Sequence, residues 1–573
     1  MRDLSMFQGD TLADLLVERA REPQRIALRF GLDDAQTYGD VLASARRAAA
    51  LLHRHRIGAG DRVLVMLPTG PEFVAVFFGC QLLGAIAVPV VPPWSRARLD
   101  AHLERIGRIA KIARPLATIT SPAVAALCRT RDDTWFRGAI SVDELAKETA
   151  QFDGAPLRDP DFPAFIQFTS GSTAEPRGAV ISQRAVLVNT RGIATAAGFH
   201  GDDIMCSWLP LFHDMGLIGH LLTPYVCGTE STLLAPEQFA VKPVEWLRVM
   251  SRLRATVSTA PNFAYQIAAD RIPDRDLRGL DLSSWRVALC GGEPISADTA
   301  SAFARRFAPF GLSPTAFFPV YGLAEMTLAA TFPPPGRATR VDDIDRDALE
   351  RDGLATPAPG GTARIVSCGR PFPGHDLQIV DDTGCVLPER RIGEIELRGP
   401  SMMSGYFRDP TATLAVTRAG WLRTGDLGYV ADGELYVVGR RKEVIIVRGR
   451  NLAPYDVEAA AATVEGVRKG RVAAVGIPDP ERGTELLVVV CESRSRRNFE
   501  LVAAVRRAVL EHVGVTPDRV IVTRPSVVPK TSSGKIQRAA VRERVISGEL
   551  ERPLGLWSRL AMLVGRVAPP TAT

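Results

Sequence analysis

Phe168-Thr-Ser-Gly-Ser-Thr-Ala-Glu-Pro-Arg-Gly178 is a hydroxyl-rich, glycine-bearing stretch between two apolar runs, Phe162 to Phe168 and Ala179 to Ser182, that both read as strands. The hydroxyls of Thr169, Ser170, Ser172 and Thr173 and the loop's backbone N–H groups can converge on phosphate oxygens. Gly171 lets the backbone come close with no Cβ in the way. No Gly-Lys-Ser/Thr opens a helix after it, which excludes the Walker loop. A surface loop with no ligand has the same composition, so this stretch alone leaves both readings open. The segments downstream decide.

The chain has 573 residues, too many for one core, so two or three domains are expected. With 46% hydrophobic and 23% charged residues it reads as a soluble globular enzyme. The eight cysteines (Cys80, Cys128, Cys206, Cys227, Cys290, Cys368, Cys385 and Cys491) are scattered with no C-x-x-C pair, which excludes the common zinc spacings and points to a reducing compartment. The N-terminus shows no apolar core of signal-peptide length, so a cytoplasmic location is expected. Phe73 to Val91 carries no charge, yet glycines and Pro89 interrupt it. It divides better into a buried helix, Phe73 to Leu83, and a strand, Ala85 to Val91, and no transmembrane segment is expected.

Arginine dominates the cations, and the seven lysines (Lys111, Lys147, Lys242, Lys442, Lys469, Lys530 and Lys535) stand out where they fall inside motifs. From Arg440 onward, 24 Lys and Arg face 14 Asp and Glu, a balance of +10 on a body of −4. Such a module could meet phosphates, nucleic acid or an acidic protein, or be a solvated surface with no partner.

Strand and helix signals alternate through the first part of the chain, from a helix capped by Thr11 and a strand at Ile26 to Phe30 onward, and argue for α/β layers. Residues 337–364, rich in charge, Gly and Pro, look like an insertion with one short helix rather than core. Short alternating segments follow (Asp376 to Val380, Gly393 to Arg398, Glu434 to Val438) and suggest a small β-rich subdomain. Leu554 to Val567 reads as a docked helix.

Four further segments look like parts of one site. Cys290-Gly291-Gly292-Glu293-Pro294 follows a strand, and its paired glycines would let a flat ring lie against the backbone. Val320-Tyr321-Gly322-Leu323-Ala324-Glu325 offers an aromatic face and, four residues on, a carboxylate that could hold Mg²⁺. In Trp421 to Gly428, Asp426 follows a turn glycine, where a carboxylate can accept from a ribose diol. Pro529-Lys-Thr-Ser-Ser-Gly-Lys-Ile-Gln-Arg538 places Lys535 after a mobile Ser-Ser-Gly. Tight turns, a core tyrosine and a solvated loop would explain each alone; all five in this order are hard to obtain by accident.

Together these segments resemble the core motifs of the adenylate-forming superfamily, which includes acyl-CoA synthetases, nonribosomal adenylation domains and luciferases. The resemblance implies a large N-terminal adenylation domain, 1–439, of layered α/β subdomains plus the β-rich one, and a small mobile α+β C-terminal domain, 440–573. It implies that Thr169, Ser170, Gly171, Ser172, Thr173 and Arg177 handle the ATP phosphates, that Gly291, Gly292, Glu293, Pro294, Tyr321 and Gly322 hold adenine, and that Asp426 with Arg440 binds the ribose. Glu325 would ligand Mg²⁺, and Lys535 would reach the reacting carboxylate and α-phosphate. Gly439 to Ile446 resembles the family's hinge, with Lys442 as pivot and Arg441 one position away. Arg177 stands where the family usually has lysine, and Ala324 where it often has threonine.

Within the superfamily, Leu209-Pro-Leu-Phe-His-Asp-Met-Gly-Leu217 and Gly449-Arg-Asn-Leu-Ala-Pro-Tyr-Asp456 look like those of fatty acyl-AMP ligases, and the 337–364 insertion sits where that group carries an extra element. His213 and Asp214 would lie near the acyl entrance, although a buried structural histidine reads equally well at 213. Asn262, Phe263 and Met326 are expected in the acyl pocket. The implied reaction uses ATP and Mg²⁺ to make acyl-AMP from a fatty acid and passes the acyl group to an acyl carrier protein or polyketide synthase carrier domain, with no nucleic-acid partner. A long-chain acyl-CoA synthetase differs in the acceptor alone. A non-catalytic acyl-adenylate-binding protein is the alternative of another class.

Overall fold

The computed structural model describes residue 4 and residues 6–93, 99–129, 138–169, 176–447, 450–479, 484–494, 498–531 and 534–550 of the 573-residue chain. Ser170, Gly171, Ser172, Thr173, Gly449, the Ser-Ser pair before Gly534 and the stretch 554–567 lie outside the described residues. The chain divides into two compact units, Met1–Arg441 and Lys442–Thr573.

The first unit is built on two seven-stranded sheets. One runs in the order Phe317–Pro319, Val287–Cys290, Val257–Ala260, Ile204–Ser207, Glu230–Leu233, Ile26–Phe30, Asp34–Thr37. Every pair is parallel except the last. The other has the order Gly405–Tyr406, Arg177–Ser182, Pro163–Thr169, Ile86–Pro89, Arg62–Met66, Ala117–Thr120, Ala139–Ser141. Its parallel part is joined to an antiparallel hairpin, Pro163–Thr169 with Arg177–Ser182. Parallel strands must be covered on both faces, which is why Val63–Met66 and Ala87–Val88 are uniformly apolar and buried.

The uncharged stretch near residue 80 is a buried core element. Pro71–Leu83 is a helix whose eleven residues from Phe73 to Leu83 are all buried, and a strand, Ile86–Pro89, follows the left-handed Gly84. It packs closely on the helix Tyr38–Arg54: a Cβ on Gly79 would come within 2.8 Å of the Ala48 Cβ. Among the described residues no helix is long and apolar enough to cross a membrane.

A five-stranded antiparallel sheet completes the unit, with Asp376–Val380, Gly393–Arg398, Trp421–Ala431 and Thr417–Arg418 in order and Glu434–Arg440 also on Trp421–Ala431. The stretch 337–364 is more than a loop with one helix. Val341–Ile344 and Ala363–Val366 pair antiparallel around the helix Arg346–Asp352. Ile344, Leu349, Ala355 and Ala363 share a buried cluster with Tyr429, Ala431 and Tyr436. Polar ties add to it: Arg337 donates two hydrogen bonds to Glu434 (2.6 and 2.8 Å), and Arg390 and the Tyr429 hydroxyl both donate to Asp342 Oδ2. Its Gly, Pro and charge mark the turns and the rim, while four spaced apolar residues carry the packing.

The second unit has a three-stranded sheet, Val467–Asp479, Thr484–Ser493 and Arg519–Thr523, the last pair parallel. Strand periodicity divides its side chains between two cores. Val472, Ala474, Leu487, Val489 and Cys491 pack with the helices Pro454–Ala462 and Asn498–Val513. Ala473, Val475, Val488 and Val490 pack with Val541 and Val545 of the helix Arg538–Ile546.

One buried polar group makes the first unit sensitive to acid. His220, in the π-helical stretch Leu217–Leu222, is fully buried, and neither ring nitrogen has a hydrogen-bond partner among the described residues. Burial pushes its pKa down to about 3, so the fold holds the neutral ring while the unfolded chain takes up a proton below its ordinary value near 6.5. Stability therefore falls as pH drops from 6.5 toward 3, by about 1.4 kcal/mol per pH unit from this group. In urea titrations at pH 7.5, 6.0 and 5.0, His220→Leu should remove about one proton's slope; an unchanged slope would refute the assignment.

Candidate active site

Four adjacent strands of the first sheet, Ile204–Ser207, Val257–Ala260, Val287–Cys290 and Phe317–Pro319, run parallel, so their C-terminal ends share one edge. That edge is where open α/β sheets bind ligands. The segments after these four strands carry His213 and Asp214, then Asn262 and Phe263, then Gly291 to Pro294, then Tyr321 and Gly322. Chain order alone hides this convergence, and sheet order produces it.

The strand-end loops are tied to one another. The Phe263 N–H donates to Glu293 Oε1 (2.7 Å), and the Ser296 N–H donates to Asn262 Oδ1 (3.1 Å). The structure thus joins Phe263, expected in the acyl pocket, to Glu293, expected at adenine, and Asn262 to Ser296 just beyond it. Phe263 also lies edge-on to Trp208, with ring centroids 6.3 Å apart. Met326 is in the core beside Glu325, and its carbonyl accepts from the Asn189 side chain.

The glycines answer partly to protein packing. A Cβ on Gly291 would meet Val320 Cγ2 at 2.7 Å, so the close approach it allows is to a neighbouring strand end, a different reason from the flat ring expected from sequence. A Cβ on Gly322 would fall 1.9 Å from the Leu328 carbonyl oxygen. Gly292 holds φ +79°, a left-handed turn. Pro294 is exposed.

Asp426 is buried, and both its oxygens are engaged. Arg440 Nε donates to Oδ1 (3.0 Å), and the Tyr321 hydroxyl donates to Oδ2 (2.8 Å). Burial first, and then the Asp426 charge, push the Tyr321 hydroxyl well above its ordinary pKa. The sequence reading gave Tyr321 an aromatic face; its hydroxyl is the part that links the first sheet to Asp426. Gly425 (φ +72°) is likewise not in a turn between elements but inside the strand Trp421–Ala431, at an irregularity in its pairing with Gly393–Arg398. There the Gly425 N–H donates to Glu394 Oε1 (3.2 Å).

A second cluster joins Arg177 to Glu325 through Tyr406. The segment Met403 to Phe407 is held from both sides: the Ser404 and Phe407 N–H groups donate to the carbonyls of Val180 and Gly178 in the strand Arg177–Ser182, and the Met403 N–H donates to the Glu325 carbonyl. The Tyr406 hydroxyl donates to Glu325 Oε1 (2.7 Å), while the Arg177 guanidinium lies 5.5 Å from its ring centroid. Burial, followed by the Glu325 charge, pushes the Tyr406 hydroxyl up. Thr169, paired with Arg177 across the hairpin, donates its hydroxyl to the Arg177 carbonyl (3.5 Å). Thr327, just past Glu325, holds φ +69°, costly for a β-branched residue, and its hydroxyl is fixed on the Ser401 carbonyl (2.7 Å).

Glu325 fits a Mg²⁺ that keeps waters and substrate phosphates, which needs only one or two protein carboxylates. Its Oε2 makes no hydrogen bond or ion pair among the described residues, nor do those residues contain a group of three or more His, Cys, Asp or Glu able to hold a metal. His213 Nδ1 lies 2.5 Å from Asp214 Oδ1, and its side chain is 23% exposed, so it is not the buried histidine of this region; His220 is. The Gln167 amide donates to the Phe212 carbonyl (3.2 Å), tying the strand Pro163–Thr169 to the His213 segment.

In the second unit, Lys535 sits in a tight hairpin. Its N–H donates to Thr531 Oγ1 (3.0 Å), its carbonyl accepts from the Thr531 N–H (2.7 Å), and Lys530 bridges Ile536. The backbone at Lys535 itself is therefore pinned, while the Ser-Ser pair expected to be mobile lies outside the described residues. Lys442 is exposed at the first position of this unit.

Sequence reasoning missed Tyr406, Glu394 and Gln167. Their partners lie 81, 31 and 45 residues away, beyond any spacing rule. Only the Gly405-Tyr406-Phe407 triplet, a glycine before two aromatics, offered a local signal.

The profile of the family described as AMP-binding enzyme matches residues 16–407. A Caulobacter vibrioides protein with the provisional name acyl-CoA synthetase is 36% identical over 537 residues, 91% of this chain and 92% of its own. The medium-chain-fatty-acid–[acyl-carrier-protein] ligase JamA of Moorena producens is 34% identical, covering 96% and 97%. A solved structure from a study of fatty acyl-adenylate ligases of E. coli and L. pneumophila superposes with a TM-score of 0.88 at 35% identity, covering 95% of this chain and 99% of that one.

Tyr406→Phe keeps the ring beside Arg177 and deletes only the hydroxyl on Glu325. The loss of one charge-assisted hydrogen bond should lower stability by about 1.5 kcal/mol. Chemical unfolding of the two proteins checks this, and identical midpoints would show that the contact carries no energy.

Proposed function

We propose that this chain, which belongs to the AMP-binding enzyme family, activates a fatty acid with ATP to acyl-AMP and pyrophosphate and transfers the acyl group to the phosphopantetheine thiol of a carrier protein. The observation that carries the first half-reaction is the Arg177–Tyr406–Glu325 contact, which sets a cation of the phosphate hairpin beside a carboxylate with an open oxygen. The carrier-protein half rests on the likeness, over nearly the whole chain, to a fatty-acid–carrier-protein ligase.

The chemistry needs no protein nucleophile. An oxygen of the fatty-acid carboxylate attacks the α-phosphorus, the new O–P bond forms as the α–β bridging bond breaks, and pyrophosphate leaves. Lys535 places its ammonium between the two reacting anions, where a compact charge serves better than a planar fork. Arg177 and the hydroxyls of the 169–173 loop orient the phosphates, and Asp426, prepositioned by Arg440 and Tyr321, accepts from the ribose hydroxyls. Gly291 to Pro294 and Gly322 shape the adenine side, and His213, Asp214, Asn262, Phe263 and Met326 line the acyl side. Mg²⁺ held by Glu325 and phosphate oxygens supplies charge neutralisation.

In the second half-reaction the thiol sulfur attacks the acyl carbon, a C–S bond forms as the C–O bond to phosphate breaks, and AMP leaves. The domain boundary at 439/440 and the Lys442 pivot belong to this reading, because one catalytic lysine is needed only in the first step. The +10 balance of the C-terminal part suits an acidic carrier. The scattered cysteines, with seven free thiols among the described residues, suit the cytoplasm. The Caulobacter relative's name favours a second reading, with CoA as acceptor.

Lys535→Ala should cut pyrophosphate release from ATP and fatty acid by about 100-fold or more and leave transfer from supplied acyl-AMP within about threefold. Lys535→Arg should recover little of the loss. A Lys535→Ala protein that releases pyrophosphate normally would refute the assignment.

A further inference from the structure

We infer that Glu443 and Arg538 are positioning residues that couple the Lys442 pivot to the hairpin bearing Lys535. The inference rests on the function proposed for those two lysines.

Arg538 opens the helix Arg538–Ile546, three residues after Lys535. Its side chain is 16% exposed and uses three nitrogens on two carboxylates. Nη1 donates to Glu443 Oε2 (2.6 Å), while Nε and Nη2 donate to the two oxygens of Glu458 (both 2.7 Å). Glu458 is in turn fixed by the Ala474 N–H of the sheet (3.0 Å). The Glu458 pair thus anchors Arg538 to the body of its unit, and the remaining nitrogen reaches the residue next to the pivot. The segment between Arg538 and Lys535 has little slack, because the Gln537 N–H donates to the Pro529 carbonyl (3.0 Å) and the Thr531–Lys535 hydrogen bonds close the hairpin.

Before the pivot the chain is held just as firmly within the other unit. Arg440 donates to Asp426, and Arg441 donates to Glu394 Oε2 (3.1 Å) and pairs with Asp382. Glu394 is buried and also accepts from Arg423 (2.6 Å) and the Gly425 N–H (3.2 Å). With Arg441 fixed on one side and Glu443 on the other, the dihedral change falls on Lys442, a hinge one residue wide. The Glu443–Arg538 pair carries that rotation to the Lys535 hairpin without loss. Lysine cannot replace Arg538 here, since an ammonium cannot present a fork to Glu458 and a further donor to Glu443.

The test uses the full-length chain and separates the half-reactions. Glu443→Ala cuts the link and leaves Arg538 on Glu458. Single-turnover acyl-AMP formation should fall about tenfold, with KM for ATP and fatty acid and transfer from synthetic acyl-AMP all within about twofold of the native protein. Glu443→Gln, which keeps an acceptor for Arg538, should restore most of the rate. Amide hydrogen exchange in 529–538 should rise in Glu443→Ala and return in Glu443→Gln. Native exchange and native adenylation in Glu443→Ala would overturn the inference, as would equal slowing of both half-reactions. If the native protein makes no acyl-AMP, the proposed function fails, and the exchange measurement alone decides whether pivot and hairpin are coupled.

Discussion

The buried carboxylate of Asp426 is the constraint on which the rest of the first unit turns. Taking an ionised group out of water costs several kcal/mol unless its oxygens are paired. Here one oxygen takes Arg440 and the other takes the Tyr321 hydroxyl. Tyr321 leaves the edge strand of a parallel sheet, and Arg440 ends the last strand of an antiparallel one. Asp426 thus joins two layers with different topologies, alongside ties such as Thr331 Oγ1 to the Cys368 carbonyl. The same carboxylate is the one assigned above to the ribose hydroxyls, so the proposed function gives one group both a structural and a binding role.

The neighbouring polar contacts extend this logic toward Arg177 and the end of the first unit. Tyr406 bridges Arg177 and Glu325, and Glu394 gathers Arg423, Arg441 and the Gly425 N–H. The Glu394 cluster places cations directly on an anion, and the Tyr406 cluster links a cation to an anion through a phenol. Preorganised charges need no reorientation during reaction, which is the main way a protein can accelerate an attack in which the substrate itself is the nucleophile.

Much of the fold was legible because its signals are local. The uncharged run at 73–91, the glycine at 84 and the alternating segments at 376–380, 393–398 and 434–438 report burial, turns and strands within a few residues. The candidate site motifs could be picked out for the same reason, since each is a contiguous segment. Glu394, Tyr406 and Arg538 could not, because their roles consist of contacts across 31 to 95 residues that leave no periodic trace. Residues 337–364 misled in the opposite direction: Gly, Pro and charge dominate the count, while Ile344, Leu349, Ala355 and Ala363 do the packing. At Gly291 the structure adds a packing reason that composition could not reveal, because composition cannot distinguish a ligand's close approach from that of Val320.

The central claim is that one site makes an acyl-adenylate and delivers it to a carrier protein. The most direct measurement is mass spectrometry of the products formed from ATP, Mg²⁺ and a panel of fatty acids, with CoA in one reaction and a phosphopantetheinylated carrier protein in the other. The account predicts acyl-AMP that accumulates in the presence of CoA and is consumed when the carrier is supplied. Acyl-CoA formed at a comparable rate, with the carrier left unloaded, would contradict it.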